Sequence, residues 1–189
     1  MVESRDFNTD LNNSNNLLLR KSWGKVFILK FGEDCKILWK DELNEQKGFG
    51  TDVTIQTSKG RRYSVELKTR NKNCYKDTRW IMEIVSHRYD RESEPRTFLH
   101  SKEGWIYSTT AEYIFHGTLN EDGTDLTEVI FYILIPFKTL KWKSEFDKYD
   151  NLWLATLFSE TGIFQLTLNK LIPLDVIKNN TIEFWEWSR

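Results

Sequence analysis

The chain has 189 residues and a formal net charge of −1, from 27 basic and 28 acidic side chains. That length gives room for one domain with a full core, and 39% hydrophobic with 29% charged residues excludes a disordered or membrane-embedded chain. Near-neutrality argues against coating nucleic acid or membrane through global charge, and leaves a local basic face open. The unusual figure is 14% aromatic, from eight Trp, seven Tyr and twelve Phe; such rings fill cores or stack on bases.

In chain order, residues 1–16 read as a loose polar segment, Asn-rich from Asp6 on. Apolar residues at Leu17, Leu18, Trp23, Phe27, Ile28 and Phe31 recur at three- to four-residue spacing, which predicts a helix with Gly32 as its C-cap. Cys35 to Lys40 is a short strand candidate. Phe49 to Thr57 and Arg62 to Thr69 read as two strands around the Ser58–Arg61 turn, a β-hairpin. Trp80 to Ser86 is a further strand, 87–103 a charged loop, and Gly104 to Tyr107 a short extended piece. Thr109 to Phe115 is expected to be a helix, with Thr109 and Glu112 forming a capping box.

Glu128 to Ile135 reads as a buried strand, Lys138 to Tyr149 as a short helix, Gly162 to Leu168 as a strand and Pro173 to Lys178 as a short helix. The aromatic tail, Phe184, Trp185 and Trp187, either packs on the core or forms a dimer contact. The expected organisation is one domain over 1–189, with a core at 17–135 and a C-terminal elaboration at 136–189. The expected fold class is α/β (α+β), a helix leading into a small mixed sheet with flanking helices.

Cys35 and Cys74 are too few for a disulfide framework or a structural zinc site. No signal-peptide pattern opens the chain, and its longest apolar run, Val129 to Phe137, is nine residues, well short of the roughly twenty of a spanning helix. These features predict an intracellular, cytoplasmic protein with no membrane partner. The three histidines, His87, His100 and His116, lack zinc-ligand spacing and are expected in surface or capping roles, and no GxSxG, GxxxxGK[ST], HNH or HExxH pattern is present.

The hairpin carries the chemistry. Side chains alternate along a strand, so Glu66 and Lys68 share one face while Val65 and Leu67 turn to the other. If the turn sets Asp52 opposite, two carboxylates and an ammonium converge. Two carboxylates are hard oxygen ligands suited to Mg²⁺ or Mn²⁺. The Leu67 backbone carbonyl offers a further ligand, and Lys68 can orient an attacking water. The bland alternative is a solvated ion pair on a strand. Glu83, mid-strand in an apolar run, reads equally as a supporting carboxylate or as an outward-facing residue.

Around this site, Lys59 to Arg79 holds eight basic residues against two acids. Arg61, Arg62, Arg70, Lys72, Lys76 and Arg79 are the candidates for phosphate contact, with Tyr63, Tyr75 and Trp80 interleaved for stacking or for the core.

Asp52, thirteen intervening residues, then Glu66-Leu67-Lys68 resembles the PD-(D/E)XK nuclease superfamily, and GFGTDVTI, RYSVELKTR, WIMEIVS and GWIYSTTAEYIFHG are similar to its small phage-type members. The resemblance covers roughly 17–135. Thr51 stands where the family's proline often does, and residues 17–31 lack the helix acid of many members; Asp10, Glu33 and Asp34 flank that helix. The resemblance implies a restriction-endonuclease-like core and metal-dependent phosphodiester hydrolysis, with DNA as substrate and phage or mobile-element DNA processing, recombination or repair as setting. By analogy with small nucleases it also suggests a homodimer. A non-catalytic nucleic-acid-binding or interaction protein on the same scaffold, or an RNA endonuclease, are the alternatives.

Overall fold

The computed structural model describes residues 2–6, 17–39, 52–71, 79–90, 98–138, 144–158 and 163–189. The fold is mixed α+β and mostly strand. The chain divides into two compact units, each assembled from three separate segments. The first unit comprises Met1–Ser14, Thr78–Ser108 and Phe137–Val176; the second comprises Asn15–Asp77, Thr109–Pro136 and Ile177–Arg189.

The second unit opens with helix α1 (Leu17–Phe31), where the sequence places it. Leu19, Trp23, Val26 and Phe27 fall on one stripe and are buried. The helix stops at Gly32, whose φ of 95° suits glycine, and the Gly32 N–H reaches the Ile28 carbonyl at 2.8 Å. Strands β2 (Lys36–Trp39), β3 (Val53–Gln56) and β4 (Arg62–Asn71) then run as an antiparallel meander. Gly60, at φ 78°, closes the expected hairpin turn with its N–H on the Thr57 carbonyl at 2.9 Å.

The sheet is completed by β7 (Tyr113–Leu119), parallel to β4, then β8 (Leu126–Ile133) and β11 (Phe184–Ser188), in the order β11-β8-β7-β4-β3-β2. A parallel neighbour requires a crossover connection, and the chain makes it by way of residues belonging to the first unit.

The helix expected over Thr109–Phe115 is replaced by β7. The run Tyr113–Leu119 is buried at every position and rich in aromatic and β-branched residues, so pairing on both sides outweighs the local cap signal.

The core lies between α1 and one sheet face. Trp23 stacks on Phe27 at 5.9 Å and meets Phe115 edge-on at 6.1 Å, while Phe115 and Phe131 lie 4.7 Å apart. Trp185 and Trp187 pack against this cluster from β11. The tail is therefore a strand with core rings, and much of the aromatic excess is structural. Gly117 passes directly beneath Trp23: a Cβ there would fall 2.9 Å from the ring. The Asp125 carboxylate ties the β7–β8 connection down, accepting from the Ser22 hydroxyl, the Arg189 guanidinium and the Leu126 N–H.

The first unit is built on a sheet ordered β1-β9-β10-β5-β6. β1 (Val2–Asp6) pairs parallel with β9 (Asn151–Phe158), and β10 (Ile163–Pro173) pairs antiparallel with β9 and with β5 (Arg79–Asp90). β6 (Phe98–Glu103) completes it, so much of the expected 87–103 loop is strand, an extension of β5 paired with β6. Gly104 sits against the Glu83 carbonyl, where a Cβ would fall at 2.1 Å, and leads into the short helix α2 (Trp105–Ser108) rather than an extended piece. Of the expected helix over Lys138–Tyr149, Ser144 to Lys148 are helical, ending in a 3-10 turn at Phe146–Lys148, and 139–143 lie outside the described residues. Of the N-terminal segment expected to be loose, Val2–Asp6 is instead strand β1, held by its pairing with β9, and 7–16 lie outside the described residues. Helix α3 (Leu174–Asn180) matches its expectation. Among the described residues no helix is long and apolar enough to cross a membrane.

Candidate active site

β4 has two chemically distinct faces. Tyr63, Val65 and Leu67 turn toward the α1 core, and Ser64, Glu66, Lys68 and Arg70 turn away from it. The alternation comes directly from RYSVELKTR, because only one phase of that run can be buried under the helix.

Asp52 sits at the start of β3, next to the Val53–Val65 pair. Its N–H reaches the Val65 carbonyl at 2.9 Å, and its Oδ2 accepts the Leu67 N–H at 2.7 Å. The carboxylate thus stands where a backbone carbonyl would continue the ladder, one peptide unit from Glu66. Charge-assisted bonds of this kind are roughly twice as strong as neutral ones.

Glu66 is buried, 7% exposed, and both its oxygens are engaged. Lys68 Nζ donates to Oε1 at 2.5 Å, and the Thr109 hydroxyl donates to Oε2 at 3.2 Å. The hairpin therefore brings Asp52, Glu66 and Lys68 to one end of the β3–β4 ladder.

The other candidates are placed differently. Glu83 lies on β5 in the first unit, in a different sheet, opposite Asn169. Arg62 is exposed on the Glu66 face of β4, and Arg70 Nε donates to Thr118 Oγ1 at 3.4 Å. Arg61 donates to the Tyr113 hydroxyl at 3.0 Å and covers the Tyr63 ring at 4.7 Å, so it braces the hairpin. Arg79 begins β5 in the first unit. Lys72 and Lys76 lie outside the described residues. Trp80 is buried.

Sequence reasoning missed Thr109 and His116. Thr109 is no helix cap: its hydroxyl oxygen accepts the Ala111 N–H at 3.1 Å while its hydrogen goes to Glu66. Glu112 reaches the Ser64 hydroxyl instead of a cap amide, at 3.5 Å. His116 neighbours Lys68 across the β4–β7 register, is buried, and bonds the Tyr132 hydroxyl at 2.9 Å. Burial, reinforced by the Lys68 and Arg70 charges, holds its pKa well below the ordinary histidine value. A surface or capping role, expected for all three histidines, does not fit it. No local motif signals either residue, because both contacts depend on the crossover that sets β7 beside β4.

The donor chemistry at this end suits a hard divalent cation: two carboxylates, each oxygen with about two acceptor sites, beside a lysine. Among the described residues no group of three His, Cys, Asp or Glu is gathered. A scan against protein-family models finds no match, and searches of curated proteins and of solved structures find none.

Proposed function

We propose that the protein is a metal-dependent nuclease that hydrolyses phosphodiester bonds in DNA. The observation that carries this reading is the gathering of Asp52, Glu66 and Lys68 at the end of the β3–β4 hairpin. The element order supports it: α1, β2, β3 beginning just after Asp52, β4 with Glu66-Leu67-Lys68, a crossover ending in α2, then β7. That order is the one the PD-(D/E)XK resemblance implies for a restriction-endonuclease-like core.

In this reading Asp52, Glu66 and the Leu67 carbonyl hold Mg²⁺ or Mn²⁺. The bound cation supplies charge neutralisation at the phosphate and acidifies water. Lys68, ion-paired with Glu66, would donate a hydrogen bond to the attacking water. Arg62 and Arg70 share the Glu66 face of β4 and offer positive charge to phosphates.

Full-length protein is incubated with plasmid, single-stranded and branched DNA and with RNA, in Mn²⁺, Mg²⁺ or EDTA. Asp52→Asn, Glu66→Gln and Lys68→Met are run beside the wild type. The amide variants remove the negative charge and keep one acceptor oxygen each, for the Leu67 N–H at position 52 and for one of the two donors, Lys68 or Thr109, at position 66. Metal-dependent cleavage that drops about 100-fold or more in each variant supports the nuclease. Binding without cleavage in every metal refutes it.

The second reading is a non-catalytic nucleic-acid-binding protein on this scaffold. It draws on the engagement of Asp52 by the Leu67 N–H and of Glu66 by Lys68 and Thr109, contacts that also make sense as hairpin structure. Cleavage of RNA alone would reassign the substrate.

A further inference from the structure

We infer that Thr109 is a positioning residue for the Glu66 carboxylate, fixing the direction in which that carboxylate meets a divalent cation shared with Asp52. The inference rests on the metal-site reading above and deepens it.

Thr109 is 4% exposed and its hydroxyl has a defined polarity. The Ala111 N–H donates to Oγ1 at 3.1 Å, so the hydroxyl hydrogen is the group left to bridge the 3.2 Å to Glu66 Oε2. Lys68 holds the other carboxylate oxygen at 2.5 Å. One donor on each oxygen sets the plane of the carboxylate, whose terminal torsion is otherwise soft. Threonine suits the task because its branched Cβ restricts χ1.

The loop that carries Thr109 is itself fixed. The Glu112 N–H donates to the Ser64 carbonyl at 3.1 Å, and the Leu134 N–H donates to the Glu112 carbonyl at 2.9 Å. The residue that orients Glu66 is therefore anchored to the strand bearing Glu66 and to the end of β8. Each carboxylate oxygen has about two acceptor sites, so a donor on each leaves a second site on each for a cation.

The test is calorimetric titration of the full chain with Mn²⁺ in the absence of nucleic acid, for wild type, Asp52→Asn, Thr109→Val and Thr109→Ser, with melting temperatures measured alongside. Loss of an outer partner of a metal-ligating carboxylate typically weakens affinity about 10- to 100-fold. Thr109→Val is expected to fall in that range, and Thr109→Ser, which keeps the hydroxyl, to retain wild-type affinity. Wild-type affinity in Thr109→Val overturns the inference. If Thr109→Val does not fold, Thr109→Ala is compared with Thr109→Ser, and equal affinities overturn it. A wild type that binds no Mn²⁺, or binding untouched by Asp52→Asn, overturns the metal-site reading itself.

Discussion

Substitution of Gly117 by alanine tests how closely α1 is seated on the sheet. Gly117 lies between Thr69 of β4 and Val129 of β8 on the helix-facing side. An added Cβ would meet Leu126 Cδ2 at 2.4 Å and Trp23 Cη2 and Cζ2 at 2.9 Å. Favourable carbon contacts begin near 3.5 Å, so both neighbours must retreat. Leu126 can change rotamer. Trp23 is 2% exposed, stacked on Phe27 and set edge-on to Phe115, and its ring can move only with the helix.

Overpacking of this kind costs about 1–3 kcal/mol, and in a chain of this size each kcal/mol lowers the melting temperature by about 2–4 °C. Urea unfolding followed by circular dichroism gives the free energy. Trp23→Phe trims the ring that obstructs the new methyl group, so the double variant should be more stable than the sum of the single costs implies. A Gly117→Ala midpoint equal to wild type, or strictly additive costs, would refute the packing argument.

Two pH predictions follow from buried or anchored groups. His116 titrates well below the ordinary histidine value in the folded protein, so the unfolded chain binds the extra proton first. Stability should therefore decline as pH falls below about 6.5, toward the folded pKa. His116→Gln should flatten that decline in urea midpoints between about pH 7 and 5, and an unchanged slope would count against a buried neutral imidazole. For Asp125, burial pushes the pKa up, but the Ser22 hydroxyl, Arg189 and the Leu126 N–H outweigh it, and the net shift is downward. Its contribution is present above the unfolded carboxyl value of about 3.9 and is lost as pH falls through the folded pKa. Asp125→Asn should thus be less stable than wild type near neutral pH and converge with it below about pH 4; a constant gap would exclude the charge as the cause.

What the sequence made legible was local. Helix α1, the hairpin and the opposed phases of Val65 and Leu67 against Glu66 and Lys68 follow from periodicity within a dozen residues. What it concealed was non-local. The Thr109–Glu112 spacing is a genuine cap signal, yet Tyr113–Leu119 gains more from lying between β4 and β8 than from coiling. Nothing near Glu83 indicates that its strand joins a different sheet from the strand of Glu66. The pairing of Thr109 with Glu66, and of His116 with the neighbourhood of Lys68, joins residues more than forty positions apart, beyond the reach of any window-based pattern.

The segmented make-up of the two units bears on how the protein can be built and cut. The chain passes between them five times, so no single excision yields either one. A fragment ending after β4 holds Asp52, Glu66 and Lys68 but lacks the strand that brings Thr109 and His116 beside them, and one ending before Phe184 lacks the Trp185 and Trp187 rings of the core. During synthesis β1 must wait for β9, whose partner residues emerge about 150 positions later. Folding dominated by such distant pairings is slow, and the hairpin bearing the carboxylates is made long before the strands that complete its sheet.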